Sequence, residues 1–199
     1  MYKLISTLFV PFSKKSRNIA AKNIIRTNIR ELKVQVTETQ KQKDAGLVFQ
    51  KIELLPEFKA AKTILLYWSC SGELPTHTVV EKWSADKEIL LPSVQGDELL
   101  IKRFSKDQKM KKGCLGIWEP EISENFIGKI DLVIVPGIAF DLKKNRLGRG
   151  KGYYDRFFDR NKNIKKWGVC YEFQLLPSIP ARNKDVRMDK IITPAQIID

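Results

Sequence analysis

Between Asp131 and Phe158 the chain reads DLVIVPGIAFDLKKNRLGRGKGYYDRFF, and no other stretch limits the possible folds so tightly. Asp131–Val135 is short, apolar and β-branched, the pattern of a strand covered on both faces, and such strands belong to parallel sheets flanked by helices. Pro136-Gly137 punctuates its exit. Gly148, Gly150 and Gly152 then alternate with Arg149 and Lys151, behind Arg146 and Leu147. Glycines at this spacing let backbone N–H groups approach a polyanion closely, while the cations supply charge. Tyr153-Tyr154-Asp155 opens a helical pattern whose N-terminus adds partial positive charge at the same place. The stretch is a candidate phosphate loop. It is not a Walker loop, because no Gly-Lys-Ser/Thr closes it, and its glycines are too close together for a dinucleotide fingerprint. Spacing alone leaves a solvated basic turn as the alternative.

The string as a whole resembles the signature of the 5-formyltetrahydrofolate cyclo-ligase (5,10-methenyltetrahydrofolate synthetase) family, roughly PGxAFDxxGxRLGxGxGYYD. The departure is Lys144, where the family pattern has glycine, so the tightness of the turn after Phe140 is in question. Further segments resemble the family in order, from about Lys22 to Thr193. Lys22-x-x-x-Arg26-x-x-x-Arg30 resembles its N-terminal basic helix. Tyr67-Trp68-Ser69 with Gly72-Glu73-Leu74-Pro75-Thr76 resembles its substrate-binding turn, and Gly116-Ile117-Trp118-Glu119-Pro120 its Gly-x-x-Glu-Pro segment. Gln174-Leu175 and Asp185–Asp189 resemble its C-terminal end, with Lys184 where many relatives have histidine.

The resemblance implies an enzyme that uses ATP and Mg²⁺ to convert 5-formyltetrahydrofolate to 5,10-methenyltetrahydrofolate, ADP and phosphate. By that resemblance Arg146, Leu147, Gly148, Arg149, Gly150, Lys151, Gly152, Tyr153 and Tyr154 cradle ATP, joined by Lys22 and Arg26 from the N-terminal helix. Arg149 and Lys151 stabilise the transferring group. Asp155 is the magnesium carboxylate, with Asp189 the second candidate, as Mg²⁺ takes one or two carboxylates plus phosphate oxygens and water. The plain reading of Asp155 is a helix-dipole partner, and that of Asp189 a surface ion pair. Glu73 suits the two-donor edge of a pterin. Trp118 and Tyr153 are ring-stacking candidates, and Cys70 a thiol of the pocket wall. His77, the single histidine, reads as structural.

At 199 residues the chain can bury one substantial core but not two comfortable ones. Its net charge of +13 is unevenly placed: residues 1–30 carry seven basic and no acidic residues, and residues 143–166 ten basic and two acidic. Two distant basic segments can converge on one anionic ligand, although the same basicity would suit a nucleic-acid binding module. A sugar-phosphate isomerase or transferase on a similar scaffold is the other rival. Cys70, Cys114 and Cys170 are odd in number and form no C-x-x-C, which reads as reduced thiols in a cytoplasmic protein. Leu4–Phe12 is an apolar run too short to span a bilayer, and residues 1–15 read as a weakly ordered extension. A monomer without membrane or nucleic-acid partners is expected.

Helix and strand patterns alternate from Ser16 onward. Ser16 reads as the cap of a helix with Ile25, Ile29, Leu32 and Val36 inward and Lys22, Arg26 and Arg30 on another face. Asp44–Leu55 reads as a second helix. Strand patterns follow at Thr63–Ser69, Glu88–Pro92, Leu99–Phe104, Asp131–Val135, Trp167–Tyr171 and Lys190–Thr193, with helical patterns at Thr76–Trp83, Tyr153–Asp159 and Pro194–Ile198. The expected architecture is a single α/β domain over residues 16–199, a mainly parallel sheet with helices on both faces. Ligands of such sheets bind beyond the carboxyl ends of the strands.

Overall fold

The computed structural model describes residues 14–113, 116–121, 124–182 and 185–199; the apolar run Leu4–Phe12, Cys114 and Lys184 lie outside these. Three helices come first, α1 (Lys14–Gln35), α2 (Glu38–Leu54) and α3 (Pro56–Ala60). They lead into β1 (Thr63–Leu65), α4 (His77–Trp83) and the hairpin β2 (Glu88–Gln95) and β3 (Glu98–Arg103). A small hairpin, β4 (Met110–Lys112) and β5 (Trp118–Pro120), precedes β6 (Leu132–Pro136), β7 (Ala139–Asp141) and β8 (Arg146–Leu147). The chain closes with α5 (Tyr153–Arg160), β9 (Lys165–Val169), β10 (Leu175–Leu176), β11 (Lys190–Ile192) and β12 (Ile197–Ile198).

Seven strands form the main sheet in the order β12-β11-β9-β6-β1-β2-β3. The five from β11 to β2 run parallel, and β12 and β3 are antiparallel edges. Side chains alternate across it, as strand geometry requires. Ile64, Ile89, Leu132 and Ile134 face α2, α3 and α4, where Phe49, Phe58 and Trp83 pack together. Leu65, Leu90, Val133 and Val135 face the other way, onto Phe158 of α5 and Phe140 of β7. The α/β expectation with both faces covered is therefore met.

Three local expectations are corrected. Pro194–Ile198 is not helical: the Thr193 hydroxyl accepts from Gln196 N–H at 3.1 Å and closes a turn, so Ile197 and Ile198 pair with Ile192 and Ile191 as an edge strand. Ser16 lies inside α1, not at its cap, because the helix already runs from Lys14. α2 starts earlier than its apolar pattern, since Thr37 accepts from Gln40 N–H at 3.2 Å and caps it there.

The inward face of α1 also differs from the apolar stripe. Ile29 is buried and Ile25 half-buried, but Leu32 is 40 % exposed, and Lys22, Arg26 and Lys33 turn inward beside Ile29. The reason is what α1 packs against. It lies on the small sheet β10-β7-β8 and the glycine loop, a polar cleft edge, so cations suit its inner face.

Candidate functional site

The parallel strands end at one side of the sheet, and a cavity of about 560 Å³ opens there. Its walls come from the turn after β1, the ends of β2 and β6, the loop between β8 and α5, and one face of α1. The whole stretch Arg146–Asp155 lines it, together with Lys22, Arg26 and Glu73. Residues far apart in sequence thus share one cavity, as expected from strand ends.

The loop is built by the turn before it. Asp141 is fully buried at the end of β7, and its Oδ1 accepts from Lys143 N–H and Asn145 N–H, both at 2.9 Å. Oδ2 accepts from Asn145 Nδ2 and Ile179 N–H, also at 2.9 Å. The carboxylate keeps this turn tight without the missing glycine; Lys144 takes the left-handed φ of +63° itself. β8 then delivers Arg146, whose side chain is 7 % exposed. Its guanidinium donates to Pro136 O at 3.3 Å, lies 5.1 Å over the Tyr154 ring and stands 3.6 Å from Asp155, while the buried Nε has no hydrogen bond among the described residues. Gly150, at φ +99°, turns the chain where any Cβ would meet the Arg26 guanidinium at 3.4 Å. Arg26 holds the loop from α1 by donating to Gly148 O at 3.2 Å. At the loop exit Tyr153 OH donates to Gly96 O and Arg156 to Asp97 O, tying α5 to the tip of the β2–β3 hairpin.

The opposite wall is the turn after β1. Thr76, fully buried, donates to Tyr67 O at 2.7 Å and exchanges side-chain bonds with Ser69, which draws residues 67–76 into a loop. Glu73 is fixed there: Oε2 accepts from Cys70 N–H at 3.1 Å, and the Glu73 carbonyl accepts from Tyr171 OH at 3.0 Å. Its Oε1 accepts from Arg149 Nη2 at 3.0 Å, and Arg149 also bonds the Cys70 sulfur. Burial, and then the Glu73 charge, push the Cys70 thiol up, so it is no thiolate nucleophile at neutral pH. Lys33 stands behind this turn; burial lowers its ammonium pKa, while Glu73 opposes the shift.

Three expected site residues are placed differently. Asp189 precedes β11 at the other end of the sheet, where its carboxylate accepts from Lys166 N–H at 2.7 Å, so strand direction keeps it away from Asp155. Asp185 lines the cavity instead, bonded to Lys22 Nζ at 2.6 Å, and Asp155 accepts from the neighbouring Val186 N–H at 3.4 Å. Trp118 is 45 % exposed on the outer side of β5 under Lys112, because strand alternation turns its neighbours Ile117 and Glu119 to the cavity. Cys70 sits behind the wall, bonded to Arg149, and is not part of the lining. The aromatic wall residues that sequence reading passed over are Tyr67 and Trp68, the latter stacked on His77 at 4.3 Å. Their position directly before Ser69 in the recognised turn was the available signal. Arg182 was likewise missed and adds one more cation to the rim.

Among the described residues no three His, Cys, Asp or Glu side chains gather as a metal cage. Asp155 and Asp185 offer two carboxylates beside the glycine loop, and one or two carboxylates are what Mg²⁺ takes when a phosphate brings the remaining oxygens. No helix among the described residues is long and apolar enough to cross a membrane.

Residues 18–194 match the model of the 5-formyltetrahydrofolate cyclo-ligase family. The chain is 33 % identical over 184 residues to a 5-formyltetrahydrofolate cyclo-ligase of Haemophilus influenzae, covering 88 % of this chain and 98 % of that one. It is 32 % identical to a probable 5-formyltetrahydrofolate cyclo-ligase of Caenorhabditis elegans, over 83 % of this chain and 88 % of that one. The fold is similar to that of Aquifex aeolicus 5,10-methenyltetrahydrofolate synthetase, with a TM-score of 0.80 at 32 % identity over 88 % of this chain and 91 % of the other. The corresponding protein of Mycoplasma pneumoniae gives 0.69 at 25 % identity, over 87 % and 98 %.

Proposed function

Because this chain belongs to the 5-formyltetrahydrofolate cyclo-ligase family and is an enzyme of that kind, we propose that it closes the folate ring by way of ATP and Mg²⁺ in the cavity at the strand ends. The observation that carries this reading is the facing of a cationic glycine loop and a fixed carboxylate, Arg149 and Glu73, across one cavity.

A formamide oxygen is a poor leaving group. In the reaction we propose, that oxygen attacks the γ-phosphorus of ATP, an O–P bond forms and the bond to ADP breaks. The neighbouring folate nitrogen then adds to the activated carbon, loses its proton, and phosphate departs with the old C–O bond. Such steps need positioning and charge neutralisation more than a covalent nucleophile. Arg146, buried and short of one partner, and the N–H groups around Gly148–Gly152 bind the phosphates. Lys22 and Arg26 reach them from α1, and Arg149 and Lys151 meet the transferring group. Glu73 accepts from the pterin edge, and Trp68 and Tyr153 bound the flat ring. Asp155 and Asp185 are the residues that would hold Mg²⁺, which supplies charge neutralisation between phosphate oxygens when bound.

The chain supplies both cavity walls by itself, which supports a monomer as the working form. The free thiols Cys70 and Cys170 support a reducing compartment, and we take this to be the cytoplasm. The test is the absorbance of methenyl-folate after mixing protein with 5-formyltetrahydrofolate, ATP and Mg²⁺, each withheld in turn. Product should require all three. Folded protein that gives none with all three present refutes the reading.

A further inference from the structure

Arg149 joins the two walls of the cavity through Glu73 and the Cys70 sulfur, and the partners of its pair with Glu73 belong to different ligands in the reading above. Glu73 is held in place by Cys70 N–H and Tyr171 OH, and its side chain is only 13 % exposed. Arg149 is the movable partner: its side chain is 46 % exposed, and it stands on the glycine loop directly before Gly150 at φ +99°. Lys33 is a second cation near the same carboxylate. Its stem packs against the turn so closely that a Cβ at Gly72 would lie 3.2 Å from it, and its ammonium interacts with Glu73 without a hydrogen bond. Lys33 stays when Arg149 swings away, so Glu73 is not stranded as an uncompensated half-buried charge.

We propose that Arg149 makes nucleotide and folate binding conditional on each other, because the bond it forms with Glu73 must open before either ligand is fully held. This rests on the functional reading given above. A folate edge on Glu73 and a phosphate on Arg149 each compete with the same ion pair. Whichever ligand arrives first opens it, and the second meets a partner already released. The two ligands therefore strengthen each other by one common factor, as linkage requires. The pair is partly exposed and so only moderately strong in water. The expected factor is about five-fold, at the low end for coupled sites.

Calorimetry on the full chain decides it, with 5-formyltetrahydrofolate and the non-hydrolysable analogue adenylyl imidodiphosphate plus Mg²⁺. The dissociation constant of each should fall about five-fold when the other saturates the protein. In Glu73→Gln the analogue alone should bind as tightly as it binds folate-saturated wild type. In Arg149→Met the reinforcement should vanish, with a melting curve confirming that the variant is folded. If both ligands bind wild type independently, the coupling is wrong and the functional reading stands. Reinforcement that survives in Arg149→Met also overturns it, since it then arises between the ligands themselves. If neither ligand binds wild type, the functional reading fails and the coupling fails with it. Should Glu73→Gln not fold, Arg149→Met alone decides, because residue 149 lies on the loop surface.

Discussion

Replacing Asp141 by asparagine tests how the glycine loop is held. Both carboxylate oxygens are occupied, and all four partners are donors: Lys143 N–H and Asn145 N–H on Oδ1, Asn145 Nδ2 and Ile179 N–H on Oδ2. Asparagine keeps the shape but offers one oxygen and one NH₂ group. Whichever way the amide turns, two donors then face a donor at a site with no solvent exposure. Each charge-assisted bond lost is worth about 1.5–3 kcal/mol. The neutral amide is less costly to bury, which returns part of this. The expected loss is therefore about 3–5 kcal/mol, or roughly 6–20 °C in melting temperature for a chain of this size. Urea unfolding followed by tryptophan fluorescence measures it, and the ATP requirement should rise as the Arg146–Gly152 loop loosens. A change below about 1 kcal/mol at an unchanged denaturant slope would refute the account, because such a loss is smaller than one stranded donor.

Lys144→Gly should do the reverse. It removes a left-handed strain of about 1–2 kcal/mol, offset in part by glycine's freedom in the unfolded chain and the exposed bond from Lys144 Nζ to Asp189 O, for a net gain of about 0.5–1 kcal/mol; a lower melting temperature contradicts this. Asp155→Asn should raise the Mg²⁺ requirement and slow turnover roughly 10²–10³-fold, while a dipole partner alone would cost at most about 1 kcal/mol of stability and leave turnover near wild type. Wild-type magnesium dependence in that variant would leave Asp185 as the better ligand. The Cys70 pKa lies above that of an ordinary thiol, so its thiolate fraction is depressed at pH 7 and grows only as pH rises toward the shifted value. Iodoacetamide should therefore label Cys70 more slowly than glutathione at pH 7–8, followed by mass spectrometry; faster labelling contradicts the burial and charge argument.

Sequence patterns carried the sheet and the loop because both are local. A β-branched run such as Asp131–Val135 and glycines at 148, 150 and 152 mean the same thing in most surroundings. What failed depended on neighbours the pattern cannot name. Leu32 reads as core on an isolated helix, yet α1 meets a polar cleft edge, so Lys33 turns inward instead. Asp185 and Asp189 stand four residues apart in the same segment, and only the start of β11 assigns one to the cavity and the other to the opposite end of the sheet. Trp118 is decided by strand parity on a three-residue strand, too short for any alternation to be read. The helix expected at Pro194–Ile198 lost to a hydroxyl-closed turn whose value lies in the edge strand it permits.

The way α1 is attached bears on how the protein opens. Ile29 is the one side chain of this helix that is buried among the described residues; Ile25 and the Lys33 stem add partly buried packing, and Lys22 to Asp185 and Arg26 to the Gly148 carbonyl add polar holds. An element with one buried apolar side chain and several polar holds should open below the free energy that opens strands such as β6. Amide exchange along α1 should then quicken with salt while the sheet stays protected, and an anion bridging α1 to the loop acts as mortar. The helix that shapes one wall of the cavity should then be the part whose opening a bound anion slows most.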